Sequence, residues 1–103
     1  MFPASLVLTA LPFVTAVHVQ PPKPARLGLC AACHSENGIA NGKGVPHLAA
    51  QDRDCLAAAL RQYRDGERQS AAMRAAAGAL SDRDIDALAE WYAAQPREAG
   101  ALR

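Results

Sequence analysis

The second half of the chain carries apolar residues at the spacing of an amphipathic helix. Asp52 is a suitable N-cap, and Gly66 is a suitable end for a helix that begins there. Arg61 and Arg64 stand near the C-terminal end, where the helix dipole favours positive charge. The pattern predicts a helix with one buried face, formed by Leu56, Ala59, Leu60 and Tyr63.

Two further helices are predicted downstream. Residues 71 to 77 are rich in alanine, which has the highest helix propensity, and this segment ends at Gly78. Ser81 and Asp84 resemble a capping box at the start of a last helix, which Pro96 stops. We expect the buried face of this helix to contain Ile85, Leu88, Ala89 and Tyr92.

The first 22 residues contain no Lys, Arg, Asp or Glu, and the apolar stretch from Leu6 to Val14 is short for a membrane span. They resemble an export signal. The small residues up to Ala16 suit a signal peptidase, which places the mature start near Val17. Because no positive charge precedes the apolar stretch, a disordered apolar terminus is the alternative.

The segment after this signal indicates a linker and then one folded domain. The proline-rich stretch from Gln20 cannot be helical, and Pro24 is suited to the first position of a helix ending near His34. Residues 35 to 46, rich in Gly, Asn and Ser, predict a loop. We therefore divide the chain into an export signal (1–16), a linker (17–23), one domain (24–96) and a C-terminal tail (97–103).

The most specific chemical motif is the C-x-x-C-H sequence formed by Cys30, Cys33 and His34. On a helix, residues three and four apart share a face, so the two thiols and the imidazole point the same way. The thiols can add to the vinyl groups of a haem as thioethers, while the imidazole coordinates the iron. The motif therefore predicts covalent haem attachment.

Three other interpretations of the motif remain open at this point. A dithiol redox site would need strand-helix-strand units, and no alternating β-branched runs occur after residue 20. A zinc site would need a fourth ligand, for which only the scattered Cys55 and His47 are candidates. A chance match in an alanine-rich chain is the third alternative.

The composition favours a small domain built around a rigid cofactor. The chain has 103 residues, half of them hydrophobic but only five of them aromatic. A domain of this size buries roughly 60% of its unfolded surface, so a large bound group would complete its core. The formal net charge of +1 gives no indication of nucleic-acid binding.

From Leu29 to Gln95 the chain resembles the class I c-type cytochromes, in particular the short bacterial carriers of the cytochrome c-553 kind and the halves of related dihaem carriers. Pro46 lies twelve residues after His34, where the family has a proline whose carbonyl accepts a hydrogen bond from the ligand imidazole. Met73 lies seven residues before Leu80, at the position of the family's axial methionine. Further matches are Leu48, Gln51, Tyr63, Gly66, Arg68, Leu88 and Trp91.

The resemblance implies an all-α class I cytochrome c fold, with about four short helices around one covalently bound haem c. It implies that Cys30 and Cys33 form the thioethers, that His34 and Met73 are the iron ligands, and that Pro46 orients the imidazole. We expect a periplasmic electron carrier, without enzymatic activity, that exchanges single electrons with donor and acceptor cytochromes, an oxidase or a dehydrogenase. No nucleic-acid partner is expected, and any membrane contact would come from an uncleaved signal.

Other functions remain open within this resemblance. If Met73 does not ligate, the protein would be a haem-based sensor or enzyme that binds an external ligand. A haem subunit of a larger oxidoreductase is a further alternative.

The chain departs from the family at two places. The helix before the haem motif is short, which predicts a weak crossing with the last helix near Trp91. Cys55 replaces an aromatic residue, and we expect a buried free thiol there, with an intermolecular disulfide as the alternative.

Overall fold

The computed structural model describes residues 2–13 and 19–97, and these ranges contain four α-helices and no β-strand. This confirms the prediction of an all-α domain. The helices are α1 (Leu27–His34), α2 (Arg53–Asp65), α3 (Ala71–Ala77) and α4 (Asp82–Ala93).

Helix α2 begins and ends, and helix α4 begins, at the capping residues that the sequence predicts. The side chain of Asp52 accepts a hydrogen bond from the Cys55 amide at 2.9 Å, and Gly66 ends α2 with φ of 81°. Ser81 and Asp84 form the complete capping box of α4, with both reciprocal bonds present. These local bonds satisfy backbone groups that a helix end otherwise leaves unpaired.

Helix α1 starts later than predicted. Pro24 is not its first residue; residues 25 and 26 form a turn, and the helix begins at Leu27, whose amide donates to the Pro24 carbonyl at 3.2 Å. The proline thus supplies an acceptor just ahead of the helix. Leu27 and His34 are the buried residues of this short helix.

The core forms where α2 packs against α3 and α4, with Leu27 of α1 added to it. Ile85 and Leu88 are fully buried, in agreement with the predicted face of α4. On α2 the predicted apolar face is only partly covered, because Leu56 is buried whereas Leu60 and Tyr63 are half-buried. The cluster consists of Leu27, Leu56, Ala57, Ala77, Leu80, Ile85, Leu88, Ala89, Trp91 and Tyr92.

The linker before α1 is attached to the domain at two points. Gln20 and Gln95 exchange amide hydrogen bonds, of which the one donated by Gln95 is 2.7 Å long. Lys23 forms an ion pair with Glu36 at 2.6 Å. These contacts bring the linker to the C-terminal end of α4, where the short α1 provides little packing.

The apolar residues near the N-terminus have no packing partner in the described part of the chain. Residues 2–13 form neither helix nor strand, and the side chains of Phe2 and Phe13 are fully exposed, at 100% and 99%. None of the described helices has the length and hydropathy needed to cross a bilayer. The predicted cleavage residues Val14 to Val17, with His18, lie outside the described residues, as does the tail from residue 98.

Ion pairs connect the exposed sides of α2 and α4. The guanidinium of Arg64 lies 2.8 Å from the carboxylate of Asp82, and that of Arg61 lies 3.0 Å from Asp86. The hydrogen bond from Arg64 is the main cause that holds the pKa of Asp82 below its usual value. Hydrogen bonds from backbone amides, in the first place those of Cys55 and Ser81, likewise lower the pKa values of Asp52 and Asp84.

We therefore expect the free energy of unfolding to decrease as the pH falls below about 4. A carboxylate whose pKa is lower in the folded state stabilises the protein above its unfolded pKa, and that contribution is lost as the pH falls through the folded value. Asp82→Asn should remove one such contribution and give a shallower pH dependence in urea unfolding. Glu90→Gln, on the same helix, is the matched control and should leave the slope unchanged.

Candidate haem site

Helix α1 presents the three residues of the C-x-x-C-H motif in different environments. His34, its last residue, is 7% exposed, Cys30 is half-buried against the core, and Cys33 is exposed. Burial raises the pKa of the Cys30 thiol. The site is therefore open on the side of Cys33 and closed by the core on the side of Cys30.

The imidazole of His34 is oriented by one hydrogen bond. Its Nδ1 atom lies 2.9 Å from the carbonyl oxygen of Pro46, the contact that the family resemblance implies. A carbonyl oxygen can only accept, so Nδ1 carries the proton, and Nε2 keeps a free lone pair. Within residues 2–13 and 19–97 no hydrogen bond uses Nε2. This is the tautomer that a haem-iron ligand requires, and such a bond also raises the basicity of the ligand.

Gly38 brings the loop after His34 close to the segment after Pro46. Its φ is 77°, and its carbonyl accepts the Leu48 amide at 2.7 Å and the Ala49 amide at 3.2 Å. A Cβ atom at Gly38 would lie 2.7 Å from the Ala49 nitrogen and 2.9 Å from Cδ1 of Tyr92. Only glycine fits this position, and the close contact holds Pro46 within reach of the imidazole.

Helix α4 holds the residues that follow His34. The hydroxyl of Tyr92 donates to the Ser35 carbonyl at 2.9 Å, and Nε1 of Trp91 donates to the Glu36 carbonyl at 2.8 Å. Both aromatic residues are buried. The sequence predicts Tyr92 only as a core residue and Trp91 only as a family match, because hydrogen bonds between segments this far apart leave no signal in the sequence.

Met73, the predicted second ligand, lies half-buried in α3. The hydroxyl of Ser70 caps this helix by accepting the Met73 amide at 3.2 Å. The guanidinium of Arg74 lies over Gly66, where a side chain would collide with it. The contact of Arg74 with Gly66 connects α3, and with it Met73, to the end of α2. The two candidate ligands are thus on separate elements of the fold.

The residues considered for zinc serve other purposes. Nδ1 of His47 accepts the Ala40 amide at 2.9 Å, and the side chain is exposed. In the described ranges no three His, Cys, Asp or Glu side chains are grouped so that they could hold a metal ion. The geometry thus gives no support to a zinc site at Cys30 and Cys33.

The prediction of a buried Cys55 is wrong. The residue is exposed in the first turn of α2, next to the capping carboxylate of Asp52. A hydrogen bond with Asp52 and the negative charge of that residue raise the pKa of the Cys55 thiol. The apolar face of α2 begins one residue later, at Leu56, so Cys55 lies outside it.

We expect Cys55 to react with a neutral thiol reagent in the native protein without a denaturant. The haem thioethers would leave Cys55 as the free thiol, so one label per chain should be incorporated. Because the raised pKa of the thiol leaves a small thiolate fraction at neutral pH, the labelling rate should increase as the pH is raised above neutral. Mass spectrometry of the protein at successive times measures the number of labels per chain and the labelling rate. Labelling that requires a denaturant would contradict the exposed position.

The four helices and this site together define a c-type cytochrome. Two thiols on one face of a helix, and an imidazole with its Nδ1 proton engaged, fit covalently bound haem in their donor atoms and spacing. The half-buried Met73 adds a thioether sulfur of the kind that binds haem iron in electron-transfer proteins.

Comparison with known proteins agrees with this class. The family model described as cytochrome c oxidase, cbb3-type, subunit III matches residues 27–91. Cytochrome c-554(548) of Halomonas halodenitrificans is 36% identical over 73 residues, which cover 68% of this chain and 88% of that protein. The chain thus belongs to this family of c-type cytochromes, whose members carry covalently bound haem c.

Two longer relatives match a part of their length. The thiosulfate dehydrogenase electron acceptor of Thiomonas intermedia is 39% identical over 70 residues, covering 67% of this chain and 32% of that protein. Cytochrome c4 of Pseudomonas aeruginosa is 30% identical over 76 residues, covering 74% of this chain and 38% of that protein. The chain therefore spans about a third of these relatives, and it shares with them an electron-transfer haem cytochrome domain.

Proposed function

We propose that this chain is an exported cytochrome with a single haem c that carries single electrons between larger redox proteins, and that His34 and Met73 are its axial ligands. The observation that supports this most directly is the hydrogen bond between His34 Nδ1 and the Pro46 carbonyl. It fixes the tautomer needed for iron coordination, one residue away from Cys33. When bound, the haem supplies a centre that gains and loses one electron.

The chain's own residues determine how that centre behaves. Cys30 and Cys33 would hold the haem covalently on α1, and His34 and Met73 would supply the nitrogen and the sulfur that bind its iron. A thioether ligand stabilises the reduced state and raises the potential. With both ligands supplied by the protein, no substrate would bind to the iron. Partners would then dock transiently at the haem edge beside the exposed Cys33.

An absorption spectrum tests the proposed coordination. The ferric protein should show the weak far-red band of a methionine ligand, and the ferrous protein should resist carbon monoxide at neutral pH. The single haem is tested by the mass of the mature protein, which should exceed that of the chain by one haem. Stoichiometric binding of carbon monoxide to the unmodified protein would favour a sensor or an enzyme instead.

Export to the periplasm is proposed from the apolar N-terminal residues. In the described range 2–13 their large apolar side chains are 79% exposed or more, as expected of a segment that is not part of the domain. Covalent haem attachment to this motif takes place outside the cytoplasm, which agrees with export. Mass spectrometry of the protein isolated from the periplasm should find a start near Val17. A chain that retains its first residues would instead be attached to the membrane through the uncleaved signal.

A second candidate is a haem subunit of a larger oxidoreductase. It is favoured by the matching family model, which is described as an oxidase subunit, and by a relative named as an electron acceptor of thiosulfate dehydrogenase. Size-exclusion chromatography of a mild cell extract distinguishes the two, because a free carrier elutes at the size of this chain. Co-elution of all the haem-stained protein with a large complex would support the subunit.

We propose Arg68, which matches the family's arginine before the distal loop, as a partner for the haem propionates. Its guanidinium lies over the ring of Tyr63, 5.4 Å from the ring centre. This cation–π interaction orients the side chain in the absence of a propionate. We expect Arg68→Gln to shift the reduction potential, because a charge-assisted contact with a propionate would be lost. Arg83→Gln, on α4, is the matched control. Equal reduction potentials for the two variants would indicate that Arg68 only stacks on Tyr63.

A further inference from the structure

The residue after His34 has a backbone conformation that is unusual for an amino acid with a side chain. Ser35 has φ of 66° and ψ of 161°, a region that essentially only glycine occupies. Such a conformation persists only where surrounding contacts enforce it. The amide of Ser35 donates to the Ala31 carbonyl at 3.0 Å, but this bond within α1 does not fix the direction of its carbonyl.

Two donors fix that direction: the amide of Gly38, which donates to the Ser35 carbonyl at 3.3 Å, and the side chain of Tyr92. The hydroxyl of Tyr92 donates to the same carbonyl at 2.9 Å. Tyr92 is 3% exposed, and burial raises the pKa of its phenol above the usual value, so the hydroxyl keeps its proton and donates at neutral pH. Beside it, Trp91 holds the Glu36 carbonyl. Two adjacent residues of α4 therefore contribute to the path of the chain as it leaves α1.

The same tyrosine also holds the segment that carries Pro46. Its main-chain carbonyl accepts the Ala50 amide at 3.1 Å, and its ring covers Gly38, where the two segments meet. Ala50 is the other described non-glycine residue with a positive φ, at 59°. Tyr92 thus contacts both the segment that follows His34 and the segment that follows Pro46.

We propose that Tyr92 is a positioning residue for the proximal ligand: its hydroxyl and its main-chain carbonyl hold together the two segments between which His34 and Pro46 form their hydrogen bond. The inference rests on the proposed role of His34 as an iron ligand. A shorter bond to Pro46 makes the imidazole a stronger electron donor, which stabilises ferric iron and lowers the potential. Loss of the hydroxyl should loosen this bond and raise the potential.

The test is the reduction potential of Tyr92→Phe, which removes one oxygen atom and keeps the ring over Gly38. Ile85→Val, in the first half of the same helix, is the matched control, because it destabilises the core at a fully buried residue seven positions before Tyr92. We expect Tyr92→Phe to raise the potential and to speed the exchange of the His34 Nδ1 proton in nuclear magnetic resonance. Ile85→Val should change neither. Equal potentials for Tyr92→Phe and Ile85→Val would overturn the proposal.

A second variant separates positioning from general stability. Ser35→Gly makes the conformation of residue 35 an allowed one, so the segment needs less support from the tyrosine. In the Tyr92→Phe background, Ser35→Gly should reverse part of the shift in the reduction potential. If Tyr92→Phe alone yields no haem protein, the double variant should recover haem protein, and its absence would contradict the proposal. A double variant whose potential stays as far from the unmodified value as that of Tyr92→Phe would contradict the proposed mechanism.

These outcomes are distinct from a failure of the proposed function. If His34 is not a ligand, the spectrum of the unmodified protein will lack the features of histidine and methionine coordination. If only the role of Tyr92 is wrong, that spectrum will be as proposed and Tyr92→Phe will leave the potential unchanged.

Discussion

Replacement of Met73 by alanine is expected to open the iron to external ligands. The far-red band of the ferric protein should disappear, and the ferrous protein should bind carbon monoxide. The potential should fall, since axial ligands set haem potentials over a range of about 0.8 V and a thioether favours the reduced state. Covalent attachment through Cys30 and Cys33 should be unaffected. Absorption spectroscopy and a redox titration measure these changes.

Met73→His is the matched variant for this experiment. It keeps a side chain that can bind iron, so the ferrous protein should still resist carbon monoxide while the far-red band is lost. The potential should again fall, because an imidazole replaces the thioether. If Met73→Ala behaves like the unmodified protein in all three measurements, Met73 is not a ligand and the electron-carrier proposal loses its main chemical argument.

Replacement of both Cys30 and Cys33 by alanine should abolish covalent haem and, with it, most of the folded structure. Both thioether bonds are lost, so acid-acetone extraction should remove any haem that remains. A chain of this size buries roughly 60% of its surface, which leaves little to offset chain entropy of about 1 to 2 kcal/mol per residue. Far-ultraviolet circular dichroism should then show a large loss of helix.

Cys55→Ala is the control for the double variant, because it removes the third cysteine from an exposed position outside the haem motif. This protein should retain its haem through denaturation and extraction and should keep its helix content. Haem that remains attached to the variant lacking Cys30 and Cys33 would show that another residue forms the covalent link.

The helices α2 and α4 were predictable because local interactions mark their caps, and α3 because of its alanine content. The Asp52 cap, the capping box of Ser81 and Asp84, and the left-handed Gly66 each act within a few residues of their own position. The start of α1 was misplaced, since proline at residue 24 is compatible both with the first turn of a helix and with the turn that precedes it. Cys55 was misplaced because periodicity does not specify the edge of a partly covered face.

The sequence by itself determined the chemistry of this protein: two thiols and an imidazole at helical spacing, a proline and a methionine at the family's positions, and helices marked by their caps. These features depend on residue type and on short separations along the chain, so they can be read without a structure. Only the tertiary structure decided which contacts hold the segments of His34 and Pro46 together. The contacts of Tyr92 with Ser35 and Ala50 join segments more than 40 residues apart, and no local pattern of residues encodes them.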